Sequence, residues 1–166
     1  YEVGGGESAD IAVRPGPPGV FYAGATNTLT RFDRRTGDAP DVQPHPRIVM
    51  GEPAMAMPER WNWTYPIATT PLAPATVYAG SQHLWRSLDD GRTWAKISRD
   101  LTRADPRTMG NSGGPIVLDQ DGPEVYATIF TIAPSPRDVR MIWTGSDDGM
   151  IHRTDDPSDV LSFRTL

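Results

Sequence analysis

One order of features recurs three times along the 166-residue chain, and such self-similarity restricts the fold more than any single motif does. The three segments are "ADIAVRPGPPGVFYAGATNTLTRFDRRTG" (9–37), "YPIATTPLAPATVYAGSQHLWRSLDDGRTWAKIS" (65–98) and "ATIFTIAPSPRDVRMIWTGSDDGMIHRTDDPSDVLSFRTL" (127–166). Each opens on an apolar strand, Ile11–Val13, Ile67–Thr69 or Ile129–Ile132, followed by a proline-containing turn. A second strand then ends at glycine ("VFYAG", "TVYAG", "MIWTG"), a short polar loop follows, and a third strand begins ("LTRF", "HLWRS", "MIHRT"). Short aromatic and β-branched runs between Gly, Pro, Asn and Asp read as strands joined by tight turns. The closing glycines Gly24, Gly80 and Gly145 lie 56 and 65 residues apart. The repeating core is shorter, roughly 35–40 residues, which is the size of a four-stranded propeller blade. The surplus forms two insertions, about 38–64 and 99–126. The expected fold is all-β: a partial β-propeller of three four-stranded antiparallel blades, over about 9–50, 65–100 and 125–166, in a single unit spanning 1–166.

The stretch "SLDDGRTW" (87–94) falls between the third and fourth strands of the second blade. Ser87 and Asp89 are placed to cap backbone N–H groups within the turn, and Gly91 supplies the positive φ of the reversal. Thr93 completes the pattern, and Trp94 opens the fourth strand with a ring to bury between blades. S-x-D-x-G-x-T-W resembles the Asp-box, or BNR repeat, of sialidases, the sortilin luminal domain and xyloglucan-hydrolysing propeller enzymes. The stretches "GGGESADIAVRPGPPGVFYAG", "RWNWTYPIATTPLAPATVYAG", "ISRDLTRADPR", "IWTGSDDGMIHRT" and "FRTL" further resemble large bacterial proteins described as sortilin-like or glycosyl-hydrolase-like BNR-repeat proteins. Only the second repeat holds the full box. The third keeps Thr154 and Asp156 but has Ser158 for the glycine and Phe163 for the tryptophan, and the first has the plain turn "FDRRTG".

Composition removes several function classes. A net charge of −5 offers no basic field for nucleic acid, and no apolar run reaches the ~20 residues of a membrane helix. There is no cysteine, so disulfides, thiolate metal sites and a cysteine nucleophile are excluded. The three histidines, His45, His83 and His152, sit in separate segments without metal-ligand spacing, so neither metal nor cofactor is expected. "NSGGP" (111–115) mimics the surroundings of a protease serine, but no histidine with suitable flanks accompanies Ser112.

In a four-stranded blade, the turns joining strands one to two and three to four share one face. Connections from strand two to three, and from blade to blade, lie on the other. Both insertions and the loops 24–28, 80–83 and 145–149 therefore share a face, and the Asp-box lies opposite. Long loops on a rigid scaffold carry function, so any binding surface is expected on the insertion face. Alternation in "RWNWTY" places Trp61, Trp63 and Tyr65 on one side of an extended segment and Arg60 on the other. Such a stripe either packs between blades or binds sugars and peptides. Asp147 and Asp148 in "GSDDGM" are read either as solvated turn acids or as a carboxylate pair of the kind glycoside hydrolysis needs.

These residues, Arg60, Trp61, Trp63, Tyr65, Asp147 and Asp148, are the candidate binding set, while Ser87, Asp89, Gly91, Thr93 and Trp94 are structural. No catalytic residue is assigned. The resemblance implies an exported, non-catalytic scaffold that binds a glycan or polypeptide, with any targeting segment outside this chain. Closed propellers have about four to eight blades, so the remaining blades of a longer protein are expected partners. The alternative it implies is part of a xyloglucanase-like glycoside hydrolase whose active site draws on residues beyond this chain.

Overall fold

A computed structural model describes residues 4, 6, 10–25, 28–47, 49–121 and 124–166, with the side chain of Ala25 excepted. Two residues of the expected 24–28 loop, Thr26 and Asn27, lie outside that set. The chain forms eleven described strands in three antiparallel sheets: β1 (Asp10–Val13), β2 (Val20–Ala25) and β3 (Thr28–Asp33); β4 (Ile67–Thr69), β5 (Val77–Gly80), β6 (Leu84–Ser87) and β7 (Ala95–Lys96); β8 (Ile129–Pro134), β9 (Ile142–Ser146), β10 (Ile151–Thr154) and β11 (Arg164–Thr165). In each sheet the strands lie in chain order, as a meander requires. The first sheet has three strands rather than four. Its fourth position shrinks to one bridge, Thr30 to Asp41, because Pro40 and Pro44 flank Asp41 and remove ladder donors there.

Period-two alternation gives each sheet two apolar faces, so the sheets stack. Tyr22, Ala12 and Leu29 of the first sheet pack against Ile67, Val77 and Ala79 of the second. The opposite face of the second sheet, with Tyr78 and Leu84, packs against Ile129 and Ile142 of the third, joined by Phe163. Tyr22, Tyr78 and Phe163 are 0%, 1% and 1% exposed, so both seams are dry. Burial of such rings contributes about 1.5–3 kcal/mol each before entropy is counted. Gly24 and Gly80 are glycines because the neighbouring module comes too close: an added Cβ would meet the Tyr65 ring hydroxyl at 2.4 Å or the Ile129 side chain at 3.0 Å.

The two insertions share a third, smaller core. Val49, Ala54 and Met57 from the first pack against Met109, Val125 and Ala127, and among the described residues each insertion carries one 3-10 turn (Ala54–Ala56 and Pro106–Thr108).

Candidate functional site

The turn after β6 is closed by its own side chains. Ser87 Oγ accepts the N–H of Gly91 at 2.8 Å and donates to Asp89 Oδ1 at 2.8 Å. Asp89 then accepts the N–H of Thr93 at 2.8 Å and its hydroxyl at 2.7 Å. Those bonds from Thr93, with that from Ser87, hold the Asp89 carboxyl down to about 2. Gly91 has φ 85° and Asp90 before it φ 60°. Trp94 Nε1 donates to Val42 C=O at 2.6 Å, across the seam to the first sheet. Asp90 crosses the same seam, accepting from Arg14 Nε at 2.6 Å and Tyr22 Oη at 2.9 Å. Burial works against its charge, but the Arg14 and Tyr22 hydrogen bonds outweigh it and lower its pKa. Sequence reasoning missed this clamp, since nothing local marks Arg14 as the partner of a residue 76 positions away.

The insertion face is built from carboxylates and backbone. Glu59, 4% exposed, accepts Ser81 Oγ at 2.7 Å, faces His83 Nδ1 at 2.9 Å and pairs with Lys96. Burial would raise its pKa, yet the bonds from His83, Lys96 and Ser81 together bring it to about 2. Lys96 also lies 5.1 Å over the Trp85 ring. Sequence carried no sign of this centre. Asp147 accepts both the N–H and hydroxyl of Thr128, at 2.9 and 2.8 Å. Its pKa is raised, with burial outweighing the Thr128 bonds. Asp148 accepts the N–H groups of Arg103 and Ala104 at 2.7 and 3.1 Å, pinning the second insertion to the 145–149 loop.

The aromatic stretch divides. Arg60 is 6% exposed; its Nε donates to Ala127 C=O at 2.8 Å and its Nη2 to Asp100 at 2.7 Å and Thr102 at 3.1 Å. Trp61 and Tyr65 are 6% and 2% exposed, stacked edge-on at 4.9 Å, and the Tyr65 hydroxyl donates to Thr28 C=O. Trp61 and Tyr65 of the stripe pack in the first seam, while Arg60, on its polar side, is held by hydrogen bonds. Trp63 is half-buried. The structure thus gathers Arg60, Asp147 and Asp148 around Ala127, Thr128 and Arg103, and places Trp61 and Tyr65 in the first seam.

A 320 Å³ cleft opens beside this network, lined by Arg107, Asn111, Ser112, Glu124 and Tyr126 among others. Ser112 donates to Glu124 at 2.6 Å rather than facing a histidine. Tyr126 is 40% exposed. Among the described residues no group of three or more His, Asp or Glu is placed to hold a metal ion, and no helix is long and apolar enough to cross a membrane.

Solved structures resemble this arrangement of sheets. A crystal structure of the GH74 xyloglucanase from Xanthomonas campestris aligns with a TM-score of 0.52 at 19% identity, covering 89% of this chain and 22% of that one. The fold is a partial propeller. The crystal structure of an ancestral GH74 enzyme aligns with a TM-score of 0.55 at 13% identity, covering 99% of this chain and 19% of that one. The chain therefore spans about a fifth of the length of these structures. No family model matches the chain, and no curated protein does.

Proposed function

We propose that the chain is a non-catalytic propeller scaffold of the sortilin-like BNR kind, exported from the cell, whose insertion face binds a polypeptide or a glycan. The observation that carries this reading is the commitment of the carboxylates on that face. Asp147 caps Thr128, Asp148 caps Arg103 and Ala104, Asp100 holds Arg60 and Thr102, and Glu59 is saturated by three donors. Acid–base hydrolysis of a glycosidic bond needs two carboxyl groups facing substrate. Acids that fix backbone serve instead to make loops rigid, and a rigid polar surface binds at lower entropic cost. The cleft of Arg107, Asn111, Glu124 and Tyr126 supplies one cation, one amide, one acid and one exposed ring, a set suited to sugar hydroxyls or peptide groups.

A second reading rests on the description of a structural neighbour as a xyloglucanase and on the raised pKa of Asp147, a property of general acids. One experiment separates them. The chain is applied to glycan and peptide arrays, and in parallel incubated with xyloglucan and other β-glucans while reducing ends are counted. Retention of a ligand without turnover, weakened by Y126A or R107A and untouched by D89N, is expected. Release of reducing ends that disappears in D147N would establish the hydrolase instead.

A further inference from the structure

Another cleft opens where the fourth position of the first sheet shrinks to a bridge. The 40–43 segment forms one wall and the 90–94 turn the other, and Arg31 of β3 joins them in lining a volume of 490 Å³. Clefts of that size hold small molecules. Both walls belong to the first two sheets, which are packed on each other through Tyr22 and Val77. The cleft shares no residue with that of Arg107 and Tyr126, so it stands independently of the function proposed for the insertion face.

Two guanidinium groups line this cleft without protein partners. Arg31 Nε is buried with no hydrogen-bond partner, and among the described residues neither Arg31 nor the exposed Arg92 makes a side-chain hydrogen bond or ion pair. The two carboxylates of the lining differ. Asp90 is neutralised across the seam by Arg14 Nε at 2.6 Å and also accepts the Tyr22 hydroxyl at 2.9 Å. Its neighbour Asp89 accepts from Ser87 and Thr93. Asp41 is exposed and has no side-chain partner among the described residues. The lining therefore holds two unpaired cations against one unpaired acid. Gln43 Oε1 accepts the Leu29 N–H at 3.2 Å, which leaves its amide NH2 as a donor. Trp94 Nε1 is taken by the carbonyls of Val42 and Gly91, at 2.6 and 3.1 Å, so that side chain offers ring carbons alone.

These groups select a chemistry. A guanidinium fork matches the two oxygens of a carboxylate, while a free carboxylate and an amide match hydroxyl groups. An indole face matches C–H groups. An inorganic anion would leave Trp94 and Asp41 unused, and an acidic peptide brings no row of hydroxyls to Asp41. A sugar acid meets all of these groups with one ring. We propose that the cleft binds a uronic acid unit of a saccharide, its carboxylate on Arg31 and Arg92, its hydroxyls on Asp41 and Gln43, and its ring against Trp94.

The test follows the Trp94 indole N–H by NMR during titration with trigalacturonate, its resonance picked out among the chain's five indoles by W94F. A saturable shift is expected, weakened by salt because the contact is ionic. R92Q should weaken binding about tenfold or more, as loss of a charge-assisted hydrogen bond does, and R31Q at least as much. Arg92 is exposed, so its replacement reads the site without disturbing the fold. R137Q, on an exposed turn of the third sheet, should change nothing. The methyl ester of the same trisaccharide keeps the rings and hydroxyls but loses the charge, and should not bind. A Trp94 signal that trigalacturonate leaves unmoved, equal binding of the ester, or undiminished binding by R92Q overturns the proposal. So does a shift of equal size from tetraglutamate or inorganic phosphate, which would assign the cleft to an acidic peptide or to a bare anion.

Discussion

Two turns of the molecule use the same caps and do different work. After β6, Ser87 and Asp89 close the reversal, while Asp90 and Trp94 reach into the preceding sheet. After β10, Thr154 Oγ1 accepts the Asp156 N–H at 2.9 Å and Asp156 Oδ1 accepts the Ser158 N–H at 3.2 Å, a looser copy of the same capping. There Pro157 follows the capping acid where Asp90 stands in the other turn, and Phe163 turns back into the seam with the second sheet. Capping is thus local and tolerant of substitution, and fastening of sheets depends on the side chains beside the cap.

The largest effect that would break this contrast is at the rings. F163A should cost about 3–5 kcal/mol and W94A about half that, since Phe163 is fully buried and Trp94 only partly, as read by denaturant unfolding. Equal losses would mean that both rings fasten sheets alike. Next in size is acid sensitivity. Glu59, away from both turns, has its folded pKa lowered from 4.5 to about 2, so its contribution is present above pH 4.5 and is lost as pH falls toward 2. That amounts to about 3 kcal/mol, and E59Q should flatten the thermal midpoint over this range. A third measurement sharpens the role of Asp90. A double-mutant cycle of R14A and D90A should give a coupling of about 1 kcal/mol, because both side chains are 21% exposed and the pair is only partly screened. The smallest effects are at the caps. D89N should lower the midpoint more than D156N, because the Asp89 carboxylate accepts from both groups of Thr93 and from the Ser87 hydroxyl, while Asp156 accepts only from the two groups of Ser158. The reverse order would show that the two turns are not related as described.

The sheets were legible because strand signals, glycine stops and proline turns recur in one order, and the register follows from period-two alternation. The missing fourth strand of the first sheet was less so: Pro40 and Pro44 weaken pairing only once Asp41 is seen beside Thr30. The site was harder. The aromatic stripe was visible, but whether Trp61 and Tyr65 face a seam or a ligand depends on a sheet that meets them from Thr28 and Val77, far along the chain. Asp147 and Asp148 stood out as a pair, yet their oxygens point to Thr128 and to Arg103, groups that no local spacing names. Glu59 and the Arg14–Asp90 clamp had no signal, since each joins residues separated by dozens of positions.

The apolar seam that Val49 and Met57 share with Met109 and Val125 has a practical corollary for anyone reshaping this surface. Neither long excursion is a free-standing graft. Transplanting one to another propeller would strip its oily underside of cover, so the pair must be moved, or redesigned, as a single cassette.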